Sequence, residues 1–224
     1  MGDYFANIAK ILSQYWQVFL LKGVGYTLLL TMITVFFGAI LGVFICLARM
    51  SKINILSKLA LGFGEIIRGT PMLLQLYVGY FLVPKLLPFR PSEFLCVSVG
   101  FIINSACYVS EVFRSGIQAV DKGQTEAARS LGLDGRQTMT KIVLPQAIKN
   151  ILPALGNEFV TITKDTSLAS TFFVGEVMTS YLIVKGKTFL SMECLTIVAV
   201  IYFSMTWIMN RLVGRMERRM RTSD

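Results

Sequence analysis

Residues 126–145 read EAARSLGLDGRQTMTKIVLP, a polar segment between stretches apolar enough to cross a bilayer. Its first four residues are good helix formers. Gly132 with Gly135 then predicts a stop, because glycine tolerates the left-handed backbone that ends helices. The pattern predicts a short helix, a tight turn and a second helical run that ends at Pro145. We expect a polar element held against a membrane.

The composition is that of a membrane protein. Apolar residues make up 54% of the chain and charged residues only 16%, whereas soluble proteins carry about 25% charged residues. The length of 224 residues suits one helical bundle without an appended enzyme domain, so residues 1–224 are predicted to form a single transmembrane domain. The 4 cysteines are isolated in apolar stretches and histidine is absent, so neither a disulfide framework nor a metal site is predicted.

The apolar runs predict an all-α integral membrane protein with five transmembrane helices, since about 20 apolar residues cross the hydrocarbon layer. The predicted spans cover residues 24–48, 59–83, 94–113, 152–174 and 190–213. Residues 4–19 are aromatic-rich and only moderately apolar, which predicts an N-terminal interfacial helix on the outer surface. In the first span, Gly38 and Gly42 form a G-x-x-x-G face that allows another helix to approach closely.

The basic residues lie mainly on one side of these spans, in residues 49–58, 114–149 and 211–221. Because cytoplasmic segments of membrane proteins are enriched in lysine and arginine, the loop at 122–145 and the C-terminus are predicted to be cytoplasmic. An odd number of spans then places the N-terminus outside. The net charge of +9 is explained by this orientation, and no nucleic-acid partner is predicted.

The second span is interrupted at Pro71. Proline removes a backbone donor and disfavours helical geometry at Thr70 before it, so the helix is expected to kink or break there. Irregular backbone at membrane depth is tolerated only inside protein or beside water. Glu65 and Arg68 lie one turn apart, and two alternatives remain open for them: mutual neutralisation, or a role in a pathway.

The third span carries Asn104, Tyr108 and Glu111 at i, i+4 and i+7, which places them on one face. A carboxylate facing lipid would cost about 2.5–3.5 kcal/mol, so this face is expected to turn inward. Lining of a substrate pathway is favoured over helix packing, with Arg114 as the alternative partner of Glu111.

The fourth span is the least apolar and is expected to form an inner wall of the bundle. Glu158 and Asp165 share a face, whereas Lys164 points about 100 degrees away from Asp165. Asp165 is therefore predicted to face a cavity. Two carboxylates, Glu111 and Asp165, favour a cationic or dipolar ligand, because a buried charge needs a partner of opposite sign.

The spacing in residues 126–145 resembles the cytoplasmic loop of membrane subunits of bacterial ABC importers. The matching positions are Glu126, Ala127, Ala128, Gly132, Ile142, Leu144 and Pro145. In that family the short helix is a coupling helix, which docks on a separate ATP-hydrolysing subunit. The resemblance implies an ATPase-coupling role for Glu126, Ala127, Ala128, Gly132 and Pro145.

Three further runs are similar to the polar amino-acid branch of these permeases, which includes histidine, arginine, glutamine and cystine systems: GEIIRGTPMLLQLY, NSACYVSEVFRSGIQAVDKGQTEAARSLGL and LPALGNEFVTITKDTSLAS. The resemblance implies a permease subunit in the bacterial cytoplasmic membrane that imports a polar amino acid. The implied partners are ATPase subunits, a second permease subunit and an extracytoplasmic solute-binding protein. The implied substrate-binding residues are Thr70, Met72, Asn104, Tyr108, Glu111, Asp165 and Ser167.

The chain contains no G-x-x-x-x-G-K-[ST] phosphate loop, so ATP and Mg²⁺ are expected on the partner subunit and no cofactor on this chain. One competing interpretation is an ion-coupled amino-acid transporter that works without an ATPase. The absence of an internal repeat argues against it. An intramembrane enzyme is a weaker alternative, because without histidine or paired cysteines only a Ser/Lys or Asp pair could serve, and Asp165 beside Ser167 lacks the sequence context of such a site. Neither the particular amino acid nor the identity of the second permease subunit follows from the sequence.

Overall fold

The structure, a computed structural model, describes residues 2–221, so residue 1 and residues 222–224 of the predicted domain lie outside the described part. Residues 2–221 form helices and contain no strand. In chain order the elements are α1 Gly2–Trp16, a π-helical segment Gln17–Val24, α2 Gly25–Arg49, α3 Asn54–Gly69, α4 Met72–Leu86, α5 Glu93–Gln118, α6 Lys122–Ser130, α7 Gly135–Thr138, a π-helical segment Met139–Val143, α8 Leu144–Asp165, a 3-10 segment Thr166–Phe172, α9 Val177–Thr188 and α10 Ser191–Arg221. The predicted all-α class is confirmed.

In the described residues, three helices are long and apolar enough to cross a membrane: Asp3–Arg49, Glu93–Gln118 and Ser191–Met220. Two further candidates are bent pairs, and counting each as one span gives up to five. The first pair, Asn54–Gly69 with Met72–Leu86, bends by 109°. The second, Gly135–Phe172 with Val177–Thr188, bends by 44°. These pairs overlap the predicted second and fourth spans.

The N-terminal helix differs from the prediction in one respect, because α1 runs directly into the first span. Asp3–Arg49 is a single helix of 47 residues, about 70 Å at 1.5 Å per residue. The π-helical segment absorbs the junction without breaking the chain direction, and α1 is held against α10. The Tyr4 hydroxyl lies 2.6 Å from Thr196 Oγ1, and Ile11 is buried. The predicted amphipathic helix is therefore present, but it is not a separate element.

Helix α5 lies at the centre of the bundle and packs on α2, α4 and α8. The predicted G-x-x-x-G face makes the contact between α2 and α5. A Cβ at Gly38 would lie 2.8 Å from Ser105 Oγ, and one at Gly42 would lie 2.8 Å from Val109 Cγ1. Because side chains cannot approach so closely, the two helices can pack in this way only with glycine at these positions.

The predicted interruption of the second span is a complete break. Thr70 has φ −112° and ψ 147°, and Pro71 has φ −60° and ψ 136°, both extended. The proline ring excludes helical geometry at the residue before it, and the missing N–H leaves one helical hydrogen bond unmade. The chain therefore turns sharply here, with α3 on one side and α4 on the other.

The polar loop forms α6, a turn and α7. Gly132 has φ +84°; its N–H donates to Arg129 O, and the N–H of Leu133 donates to Ala128 O. These two bonds form a Schellman motif, which needs a left-handed residue at this position. The predicted stop at Gly132 is confirmed.

Two details of the predicted loop are wrong. Gly135 begins α7 instead of ending a helix, because Asp134 caps that helix and forms a capping box with Gln137. The second helical run also does not end at Pro145; residues 135–172 form one continuous helical run. Pro145 lies in the first turn of α8, directly after a π-helical segment. Near a junction of this kind, the missing N–H and the bulk of the ring are tolerated.

Gly42→Ala is expected to lower the free energy of unfolding by about 1–3 kcal/mol, the usual cost of overpacking. The added methyl group would meet Val109 Cγ1 and Cβ and the carbonyl oxygen of Ala106. Thermal denaturation of the purified protein in detergent measures the change. Gly62→Ala is the matched control, because a Cβ at Gly62 meets nothing within 4 Å. Equal melting temperatures for the two variants would contradict the close packing of α2 on α5.

Candidate functional site

The break between α3 and α4 is filled by the side-chain amide of Gln75. Its Nε2 donates to the carbonyl oxygen of Ile67 at 2.6 Å and to that of Thr70 at 3.0 Å. It also lies 3.0 Å from Thr70 Oγ1. The carbonyl groups at the end of a helix have no helical partner, and Gln75 supplies one from the other side of the break.

Asn104 links this break to the centre of the bundle. Its Nδ2 donates to Gln75 Oε1 at 2.8 Å, and the residue is only 7% exposed. Two predicted site residues, Thr70 and Asn104, are thus brought together through Gln75. Met72, on the other side of the break, packs against the buried cluster that includes Leu76 and Phe101.

Gln75 is absent from the residues predicted from the sequence. The available signal was a glutamine within the apolar run of residues 72–83. A polar side chain in such a run needs a hydrogen-bond partner, because burial of an unpaired amide is costly. Its partners could not be named from the sequence, since Asn104 lies 29 residues away.

Tyr108 and Glu111 continue the face of α5 that Asn104 begins, but their surroundings differ. Tyr108 is 42% exposed and is open to the space beside the helix. Glu111 is enclosed by three arginines, from the ends of α2 and α3 and from α5 itself. Its carboxylate accepts from Arg49 Nη1 at 2.8 Å, lies 3.1 Å from Arg68 Nη1 and also binds Arg114.

This cluster shows which partners Arg68 and Glu111 take. Arg68 pairs with Glu111, and Glu65 is exposed, so the suggested neutralisation of Glu65 by Arg68 is wrong. The alternative pairing of Glu111 with Arg114 is present. Since the carboxylate of Glu111 is occupied by guanidinium groups, its surroundings favour a structural role that ties α2, α3 and α5 together.

Among the residues of the predicted fourth span, Asp165 has a carboxylate without a hydrogen bond or salt bridge in the described part of the chain. Asp165 is half-buried at the end of α8 and, within residues 2–221, has neither a hydrogen bond nor a salt bridge from its side chain. Lys164, predicted to point about 100 degrees away from Asp165, is exposed and lies close enough for its charge to act on the Asp165 carboxylate. Ser167 lies in the following 3-10 segment, which packs on α2 and α5. Glu158 is tied to α5, where Ser105 Oγ donates to it at 3.2 Å.

Glu176 is a buried carboxylate that the sequence analysis missed. It is fully buried and caps α9, accepting from the backbone N–H groups of Met178 and Thr179 at 2.6 Å each. It also accepts from the Tyr202 hydroxyl at 2.8 Å. These donors hold α9 against α10. The signal for this cap was the position of Glu176 directly before an apolar helix and after Gly175.

The predicted coupling positions lie on α6 and its turn, apart from Pro145, which lies in the first turn of α8. Glu126 and Ala127 are exposed, whereas Ala128 is buried at 5% exposure. Gly132 and Pro145 are also exposed. Leu131, beside Gly132, is 82% exposed, a large apolar side chain without cover in this chain. The loop therefore presents a mixed polar and apolar surface on a rigid turn.

A bundle of membrane-crossing helices with a broken helix, an unoccupied half-buried carboxylate and an exposed rigid loop defines a membrane transport subunit. Residues 34–222 match the family described as the binding-protein-dependent transport system inner membrane component. The chain belongs to this family. It is an inner-membrane subunit that works with a binding protein and with a separate ATP-hydrolysing subunit.

Individual relatives agree with this assignment. The arginine transport system permease protein ArtQ of Bacillus subtilis is 36% identical over 222 residues, covering 99% of both chains. A putative glutamine transport system permease protein GlnP of Rickettsia bellii is 36% identical, covering 91% of this chain and 93% of its own. A crystal structure of an amino acid ABC transporter with histidines has a TM-score of 0.88 and 39% identity, covering 93% of this chain and 96% of that one. The predicted resemblance to the polar amino-acid branch is confirmed.

Glu111→Gln is expected to destabilise the protein by about 1–3 kcal/mol, the cost of losing hydrogen bonds between charged groups at a partly buried site. The substitution leaves three guanidinium groups close together without their shared anion. Thermal denaturation in detergent measures the loss, and Glu65→Gln, an exposed carboxylate one helix away, is the control with no expected change. A variant of unchanged stability that no longer binds substrate would instead assign Glu111 to the substrate.

Proposed function

We propose that this chain forms the translocation pathway for a polar amino acid that carries a positive charge, with Asp165 as the receptor for that charge. Asp165 carries the proposal, because it is a half-buried carboxylate whose side chain makes no hydrogen bond or salt bridge within the described residues, with the exposed Lys164 as the nearby charge. A carboxylate in a low-dielectric site needs a cation or several hydrogen-bond donors. An ammonium or guanidinium group of the substrate supplies both.

The proposed binding site combines Asp165 and Ser167 with the break and the α5 face. Thr70, Met72, Asn104 and Tyr108 complete it on the side of the broken helix. The amide groups around the break, with Arg68 nearby, suit the substrate carboxylate. Glu111 acts in this proposal through the arginines that it holds, Arg68 among them. One relative is named an arginine transport system permease, another a putative glutamine transport system permease, and a similar structure is of an amino acid ABC transporter with histidines. These names support a cationic or dipolar ligand.

The second part of the proposal concerns energy coupling. The exposed face of α6, with Glu126, Ala127 and Leu131, docks on the ATP-binding subunit, which holds ATP and Mg²⁺. The Schellman turn at Gly132 keeps this face at a fixed angle to the helical run from 135 to 172. Movement of the docked subunit would therefore tilt α8, the helix that carries Asp165. Directional transport then requires that the two tilt states contact the ligand differently.

The third part concerns orientation and assembly. The loop and the C-terminus lie in the cytoplasm and the N-terminus outside, as the distribution of basic residues predicts. Two permease subunits, identical or homologous, enclose one pathway, and an extracytoplasmic solute-binding protein delivers the substrate. The long apolar rows on α3 and α4, such as Leu59, Phe63, Val78 and Phe81, are exposed in a single chain and would be covered by that second subunit or by lipid.

Asp165→Asn is expected to lower the uptake of arginine at least tenfold, because loss of a charge partner in a buried site costs about 2–5 kcal/mol. The measurement is uptake into proteoliposomes that contain the permease, its ATPase and its binding protein. Assembly of the complex should not change. Ser204→Ala, an exposed position on α10 away from the proposed site, is the control with normal uptake. Unchanged arginine and histidine uptake by Asp165→Asn would refute the role of Asp165.

Leu131→Ser is expected to weaken docking of the ATPase and to uncouple its ATP hydrolysis from transport, while the permease stays folded. The side chain is 82% exposed, so its loss removes apolar area from the docking face and none from the core. Gly132 is a poorer test site, since any side chain at φ +84° strains the turn.

The control is Ile53→Ser in the connection between α2 and α3. Arg49, at the end of α2, contacts Glu111 on α5, so this connection lies at the same end of the bundle as the loop. Ile53 is 63% exposed and caps α3, a position that serine suits. Uptake and ATPase activity are compared in proteoliposomes. Equal coupling in both variants would contradict the docking role of Leu131.

A further inference from the structure

The orientation of the Gln75 side chain follows from its neighbours. Its Nε2 lies 2.6 Å from Ile67 O and 3.0 Å from Thr70 O. Both neighbours are backbone carbonyl oxygens, which can only accept. The amide nitrogen must therefore face the break, and Oε1 must face the opposite direction. The break in the backbone thus determines which end of Gln75 points toward α5.

The orientation of Asn104 follows in turn. The atom that Gln75 presents to α5 is Oε1, an acceptor, so Asn104 has to meet it with its Nδ2, at 2.8 Å. Asn104 Oδ1 then points away from Gln75. Within residues 2–221 this oxygen accepts no hydrogen bond. Within the described residues, the fully buried polar side-chain atom without a hydrogen-bond partner is Thr34 Oγ1. Asn104 Oδ1 also has no partner in this part of the chain, so it must keep some accessible surface.

We propose that Gln75 is a positioning residue that makes Asn104 an obligatory hydrogen-bond acceptor, so that the site selects the ammonium or guanidinium end of its ligand. This inference rests on the proposed function and adds a specificity device to it. Asp165 attracts positive charge by Coulomb interaction. Asn104 adds a directional requirement, since its unbonded Oδ1 can accept a hydrogen bond and cannot donate one while Gln75 holds the Nδ2 end.

The proposal also explains why the two amides lie at the broken helix. An asparagine that could rotate would offer either its oxygen or its nitrogen, and the energy difference between a cationic ligand and a neutral analogue would be small. The two backbone carbonyl oxygens at the break can only accept hydrogen bonds, and they cannot turn to present a donor. The carbonyl oxygens of the broken helix therefore fix the orientation of the Gln75 amide, and Gln75 in turn fixes the orientation of the Asn104 amide.

The test compares ligand discrimination by Gln75→Met and the wild-type complex of permease and ATPase. Dissociation constants are measured for arginine, for citrulline and for argininic acid, the analogue with a hydroxyl in place of the α-ammonium. Citrulline replaces the guanidinium by a neutral group with a carbonyl oxygen. In Gln75→Met, Asn104 is free to turn its N–H toward an acceptor. We expect the preference for arginine over at least one of the two analogues to fall about tenfold.

Controls separate positioning from structural damage. General damage to the break would lower the affinity for all three compounds by the same factor and leave the preference for arginine over each analogue unchanged. That result would overturn the inference. Gln75→Glu keeps an acceptor toward Asn104 and loses the donors to the break, so it should melt at a lower temperature and retain the preference. Gln14→Met, at an exposed glutamine on α1, should match the wild type.

The same data keep the two proposals apart. Wild-type protein that binds arginine, with binding lost in Asp165→Asn, supports the proposed function whatever Gln75→Met does. A wild-type complex that binds none of the three compounds overturns the substrate class and this inference together. Retention of the full arginine preference in a folded Gln75→Met protein overturns the role of Gln75 alone.

Discussion

The structure depends on a constraint imposed by its solvent. Hydrocarbon offers no hydrogen bonds, so every backbone group that leaves a helix within the membrane must find its partner in the protein. The chain breaks one helix at Thr70 and Pro71, and Gln75 supplies the donors that the last turn of α3 lacks. Asn104 connects that amide to the central helix. The polar side chains that lead from the break into the bundle are therefore the ones that satisfy the unpaired backbone groups of the break.

Three acidic side chains hold helices of the bundle together, and Asp165 differs from them. Glu111 joins three helices through arginines, and Glu176 joins α9 to α10 through the Tyr202 hydroxyl and the cap. Glu158 binds Ser105 on α5. Asp165 has no such partner in the described residues. Since a partly buried carboxylate without hydrogen-bond donors is costly, this difference supports the proposal that a cation of the substrate binds to Asp165.

The polar loop adds the mechanical part. Its surface helix ends in a Schellman turn that only glycine fits well, and the chain then continues as one helical run to Phe172. In the proposed coupling, movement of a docked subunit would reach the residues near Asp165 through this helical run, without an intervening flexible linker. The chain belongs to the binding-protein-dependent inner membrane components, and ATP is hydrolysed by a separate subunit.

Much of this could be predicted from residue order. The helical class, the break before Pro71, the close-packed face at Gly38 and Gly42 and the stop at Gly132 follow from backbone chemistry that acts over a few residues. The family followed from motifs spread over nearly the whole chain. The helix ends predicted at Gly135 and Pro145 were wrong. The capping box of Asp134 starts a helix at Gly135, and the π-helical segment before Pro145 allows the helix to continue through the proline.

The tertiary structure alone decided which polar groups are already used. Nothing in the sequence could show that Arg68 turns to Glu111 instead of Glu65, or that Gln75 meets Asn104 across 29 positions. Such pairs form between helices whose relative positions depend on the packing of the whole bundle. Local sequence determines where the backbone bends and which side chains share a face, whereas the choice of partner for each charge and amide is a long-range property of the fold.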